Sequence, residues 1–215
     1  MDPIFEYFFR WGHYLAGVTW IGLLYYFNFV QGAYFKEADD SARVDAFTKL
    51  VPRALWWFRW GAMFTFLTGL VLLGFRMAGL TQDIMLGALM GILMFLNVWI
   101  IIWPNQRKVI ASNEQIKAGG EALEGAAGAA GKALLASRTN TLFSLPMLFF
   151  MGSSAHAFTG MFNSAGTGFW IALAVIIAIE VNAIVGKQGP ITTVSGVITS
   201  GFALTAVLWG LLKFL

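Results

Sequence analysis

The sequence predicts an all-α fold: a polytopic membrane helix bundle of about six transmembrane helices, with both termini on the outer side. Three observations predict it. Of the 215 residues, 58% are hydrophobic and 12% charged, against about 25% charge in an ordinary soluble domain. Several apolar runs reach the ~20 residues that a helix needs to cross about 30 Å of hydrocarbon. Lysine and arginine are concentrated in alternate connections between those runs.

The whole chain, 1–215, reads as a single transmembrane domain with helices over roughly 5–35, 55–76, 83–104, 140–162, 167–186 and 191–213. No small-residue cleavage site follows Asp2 and Glu6, so the first helix is expected to be its own insertion signal and not a cleaved leader. The second opens in the cluster "WWFRWG", 56–61, which suits an aromatic belt at the inner interface. The third carries Gly87 and Gly91 at GxxxG spacing, a helix-packing face, and Pro104 is expected to end it. The fourth contains Pro146, which membrane helices tolerate with a kink. The fifth, "TGFWIALAVIIAIEVNAIVG", is apolar on nearly every face except at Glu180 and Asn182, and the sixth follows Pro190. Between the third and fourth, residues 105–139 are rich in glycine and alanine with little to bury, so a mobile or partly helical cytoplasmic loop is expected.

Charge sets the orientation. The connections after helices one, three and five hold Lys36, Arg43, Lys49, Arg53, Arg107, Lys108, Lys117, Lys132, Arg138 and Lys187, ten in all, while the opposite side holds three, Arg10, Arg76 and Lys213. The positive-inside rule places the ten in the cytoplasm. The net charge of +3 reflects this loop bias, and no nucleic-acid partner is read from it. The absence of cysteine excludes disulfides, thiolate metal sites and a covalently attached c-type haem.

The chain has two histidines, His13 in "RWGHYLAGVTWIG" and His156 in "MGSSAHAFTG". With helix one running inward and helix four outward, they are expected about 12 Å and about 9 Å from the outer ends of their helices, at one level. Gly17 lies a turn from His13, and Gly152 and Gly160 are expected a turn on either side of His156, leaving room for a flat macrocycle. His13, Gly17, Trp20, Leu24 and Asn28 form one inward stripe. Haem iron accepts axial imidazoles, so His13 and His156 are candidate metal ligands of a b-type haem, with Arg10 placed to meet propionates. Ligation by one histidine alone, or no metal at all with both imidazoles satisfied structurally, stays open beside this.

A second polar layer is expected nearer the cytoplasmic side. Arg59, Glu180, Asn28, Asn97 and Asn182 fall in it, and a charge in hydrocarbon must find a partner. Arg59 and Glu180 are therefore expected to pair, as a structural ion pair, a haem-propionate neighbour, a proton path or a polar substrate pocket.

"HYLAGVTWIGLLYYFNFVQG", "WWFRWGA", "IIWPNQRKVI" and "SRTNTLFSLPMLFFMGSSAH" resemble the membrane N-terminal domain of bacterial urate oxidases of the PuuD type, also called urate hydroxylases. More distantly, the histidine of helix one and its following tryptophan and glycine resemble CopD-like and HemJ-like membrane proteins, some of which bind haem b. The resemblance implies a multi-pass protein of the bacterial inner membrane with periplasmic termini, and places His13 and His156 at the family's histidines. Full-length relatives carry a C-terminal cytochrome c domain, whereas this chain stops at Leu215 and has no CxxCH. The expectation is a haem b electron-transfer subunit that exchanges electrons with a separate periplasmic cytochrome c or with partner subunits of a larger redox complex. Membrane lipid and a second copy of the chain are further candidate partners. A urate or purine hydroxylase proper, and a non-redox accessory or anchor subunit, are the alternatives.

Overall fold

The computed structural model describes residues 3–215; Asp2, used above against a cleaved leader, lies outside them. The architecture is an all-α bundle. Its elements in order are α1 (Pro3–Tyr25), a π-helical segment (Tyr26–Gln31), α2 (Gly32–Glu37), α3 (Asp40–Phe75), α4 (Gln82–Leu96), a second π segment (Asn97–Ile102), α5 (Trp103–Lys117), α6 (Ala126–His156), α7 (Thr167–Val185) and α8 (Val194–Phe214). Local chemistry sets several boundaries. The Thr81 hydroxyl accepts from the Ile84 N–H at 3.1 Å and starts α4, and Thr193 accepts from the Gly196 N–H at 3.0 Å and starts α8. Gly125, at φ +77°, turns the chain into α6 in a conformation that disfavours a side chain.

Four helices, Asp40–Phe75, the continuous run Gln82–Lys117, Thr167–Val185 and Val194–Phe214, are long and apolar enough to cross a membrane. α1 and α6 fall short in composition, not in length, because they carry polar groups: Glu6, Arg10 and His13 on one, Arg138, Asn140 and their hydroxyl neighbours on the other.

Several helix ends differ from expectation, among them the start of α3, at Asp40 and not near 55. Pro104 does not stop its helix. It sits in the first turn after the second π segment, whose shifted hydrogen bonding accommodates the missing donor, and the helix runs on to Lys117. The segment 105–139 is helical except at 118–125. A helix of 36 residues is about 54 Å long, well beyond a hydrocarbon core of about 30 Å. The starts of α3 and α6 and the end of α5 therefore project together past the apolar zone. Val51, Ile110, Ala129 and Ala133 are buried in these projections, and Lys117 reaches across to the Thr48 hydroxyl at 3.1 Å. Lastly, α6 ends at His156 and not at 162, since the following loop is claimed by Asp83.

α1 and α3 pack closely at Gly61, where an added Cβ would come within 3.1 Å of the Trp20 backbone nitrogen. The core is continuous through the bundle, from Trp20 and Phe58 to Phe143, Phe150 and Ile176.

Candidate functional site: a histidine-walled cavity and a buried polar column

A cavity of about 540 Å3 lies between α1, α3, α4 and α6, within the roughly 300–1,000 Å3 range of small-molecule sites. His13, Gly17, Trp20 and Tyr25 line it from α1, Thr65, Phe66 and Gly69 from α3, Gly91 from α4, and Met147, Met151 and Ser154 from α6. Arg10 and Arg76 also line it, from the stretch where α1 begins and α3 ends.

The hydrogen bonds around His13 assign its tautomer. The Thr68 hydroxyl donates to the Phe64 carbonyl at 2.6 Å, so its oxygen is left to accept. His13 Nδ1 lies 3.1 Å from that oxygen and is therefore the protonated nitrogen. Nε2 then keeps its lone pair, and the Thr65 backbone also hydrogen-bonds the ring. An Nδ1–H held by a neighbouring acceptor is an arrangement that orients metal-ligating histidines. Gly69 makes room for the ring: a Cβ there would approach His13 Cε1 to 3.2 Å. On the opposite wall a Cβ at Gly87 would meet Met151 Cγ at 3.4 Å, so the GxxxG pair of α4 serves to seat Met151.

His156 is placed differently. It is exposed at the end of α6 and does not line the cavity, although Ser154 and Ala155 just before it do. Gly152 is exposed with open space beside it, and Gly160 belongs to the loop after the helix, where its carbonyl accepts from the Gln82 N–H at 2.9 Å. Neither glycine flanks a macrocycle-sized space. The rim near His156 is held by Asp83, fully buried at the first turn of α4. Ser153 Oγ donates to its Oδ1 at 2.6 Å, and the Thr159 N–H and hydroxyl both donate to Oδ2 at 2.7 Å. Arg10 pairs with Glu6 one turn earlier on the same helix.

The expected Arg59–Glu180 pair does not form. The Arg59 guanidinium lies over the Trp103 ring, 3.8 Å from its centroid, and is satisfied there by a cation–π contact. Glu180 Oε2 instead accepts from Asn97 Nδ2 at 3.1 Å, and the same amide donates to Asn140 Oδ1 at 2.9 Å. Equal depth had suggested the pairing, but the two side chains leave their helices in different directions. Asn182 is exposed and bridges to the Lys187 backbone, closing the end of α7. Asn28 donates to the Leu24 carbonyl at 2.9 Å and to Ser137 Oγ at 2.8 Å.

Thr68, Gly69, Arg76, Met147 and Met151 were not singled out from the sequence. One signal was available: Gly61, Thr65 and Gly69 recur every four residues along α3 and give a small-residue stripe for α1 to pack on.

The apolar helices and the cavity between them define the class: an integral membrane helix bundle with an interhelical cavity of small-molecule size. The profile of the urate oxidase N-terminal family matches residues 75–188, more than half of the chain, and the chain belongs to that family. No curated protein and no solved structure matches it. The matched stretch holds the α4 and α6 walls of the cavity, with Asn97, Asn140, His156 and Glu180, while His13, Thr68 and Gly69 precede it.

Proposed function

We propose that the chain is a haem b electron-transfer subunit of the bacterial inner membrane, spanning it about six times with periplasmic termini. The observation that carries this reading is the His13 imidazole, oriented by Thr68 on the wall of a 540 Å3 cavity. The residues fit such a group on that side. The walls are apolar, glycines at 17, 69 and 91 allow a flat ring to approach the helices, and Arg10 and Arg76 stand where propionates would need cations. Trp20, also on the wall, has a buried indole N–H with no partner.

Haem b bound here would supply a one-electron iron couple. His13 would hold the metal, and Thr68 would fix the imidazole's orientation and raise its basicity. Aromatic and aliphatic walls would exclude water and favour the less charged redox state. His156, exposed at the end of α6 and outside the cavity, is not placed to share the group, so the reading rests on His13 alone. The electron partner would be a periplasmic cytochrome c or a redox subunit.

Membership of the urate oxidase N-terminal family favours a second reading, in which the chain itself hydroxylates urate or a related purine. The experiment is a visible spectrum of the protein purified in detergent, followed by anaerobic addition of urate. Bands of a b-type haem support the first reading, and reduction of those bands by urate moves the assignment to the second. A colourless, folded protein overturns both and leaves an accessory subunit.

A further inference from the structure

The inner half of α6 is built unlike a membrane helix. In "SRTNTLFS", residues 137–144, Arg138, Thr139, Asn140, Thr141 and Ser144 are all buried. The stretch is about 12 Å long, and it joins the cavity to the end of the bundle that bears most of the lysines and arginines. At its upper end Tyr25, which lines the cavity, lies 2.9 Å from Ser144 Oγ. Ser144 donates to the Thr141 carbonyl at 2.7 Å, so the Tyr25 hydroxyl is the donor to Ser144. One turn further Asn140 donates to the Met94 carbonyl at 2.9 Å and receives Asn97, which also holds Glu180. At the lower end Asn28 donates to Ser137, while Asn28 Oδ1 and Arg138 Nε and Nη1 are buried with no protein partner. Both π segments contribute here, Asn28 from the first and Asn97 from the second. π turns recur at functional sites.

Buried polar groups that lack protein partners are commonly satisfied by internal water. A carboxyl group with no countercharge, inside a membrane and bonded only to an amide, is a proton-carrier candidate. We propose that this column is a water-bridged proton path from the basic end of the bundle to the His13 cavity, with Glu180 as the group that holds the proton midway. The path rests on the redox reading above. An electron entering the cavity from a one-electron redox protein adds a negative charge where the dielectric is low. One proton from water at the basic end then forms an O–H bond on the Glu180 carboxylate, so charge balances one for one. When the electron leaves, that bond breaks and the proton returns. Among the charged groups on helices packed against α7, Asp83, His156 and Lys213 lie toward the far end, Lys132 and Arg138 in the inner half of α6, and none forms an ion pair with Glu180.

The test is spectroelectrochemical titration of the haem-loaded protein in lipid nanodiscs over a range of pH, with infrared difference spectra between the two redox states. In the wild type the midpoint potential falls as pH rises, and a carboxyl C=O band appears on reduction. In Glu180→Gln the potential becomes independent of pH and the band is lost. Glu180→Asp restores both. Tyr25→Phe slows proton uptake without changing the slope. A coloured wild-type protein whose potential is flat with pH overturns the path alone, as does a Glu180→Gln variant that keeps the wild-type slope. Should Glu180→Gln fail to fold, the wild-type slope and infrared band still decide the matter. A colourless protein overturns the cofactor reading and the path with it.

Discussion

At the scale of single residues, the account rests on how His13 is held. Thr68→Val keeps the shape of the side chain but removes the acceptor for Nδ1–H, and loss of such a partner typically weakens metal-group binding about 10–100-fold. Haem titration of the two proteins checks this, with Thr68→Ser expected to retain most of the affinity. Gly69→Leu places bulk where His13 Cε1 would be met at 3.2 Å, so it should abolish haem retention while leaving a folded bundle by circular dichroism. Asp83 is a stability residue. Asp83→Ala strands two donors of Thr159 and leaves Ser153 only the Phe150 carbonyl at 3.3 Å, and a donor left buried and unpaired costs about 1–3 kcal/mol. Thermal unfolding in detergent should drop clearly, and an unchanged midpoint would remove Asp83 from its place at the rim. Residue type and spacing put His13, Gly17 and Trp20 on one inward stripe of the first helix, and all three line the cavity. Thr68 and Gly69 were not, because their role exists only once α3 lies against α1. The pairing of Arg59 with Glu180 was misread for the same reason: hydropathy gives depth along a helix, while the direction a side chain takes around it depends on its neighbours.

At the scale of elements, hydrophobic runs located every long helix, but their ends were set by chemistry outside the runs. Composition ends a membrane helix where polarity begins, yet α3, α5 and α6 continue past that point and keep Val51, Ile110 and Ala133 buried. The π segments leave no mark in an apolar pattern, since "YFNFVQ" and "NVWIII" read as ordinary helix. The extended helices make a prediction. Protease specific for glutamate should cut at Glu121 and Glu124 in the 118–125 turn, and trypsin should spare Lys132 and Arg138 within α6. Early tryptic cleavage at those two sites would return 105–139 to a loop.

At the scale of the whole molecule, the distribution of fourteen basic residues is the only determinant of orientation that the chain carries. The protein has no cysteine, so single cysteines can be introduced without background. Ser164→Cys should react with an impermeant maleimide from the periplasm and Glu121→Cys only after the inner membrane is opened. The reverse pattern would invert the topology and put Arg10 and Arg76 on the cytoplasmic side. Two of the proposed spans, α1 and α6, fall short of the other long helices in apolar character, because Glu6, Arg10 and His13 lie on one and Arg138, Asn140 and their hydroxyl neighbours on the other. The polar groups facing the interior lie largely on those two helices, and the four long apolar helices supply most of the hydrophobic bulk.

The most direct measurement is rescue of a cavity in place of His13. The His13→Gly protein should purify without haem, and added imidazole together with haem should restore a b-type spectrum, because the small base can occupy the space the side chain left beside Gly69 and Thr68. A His13→Gly protein that keeps its haem unaided, with imidazole making no difference, would contradict the assignment of His13 as the group that holds the iron.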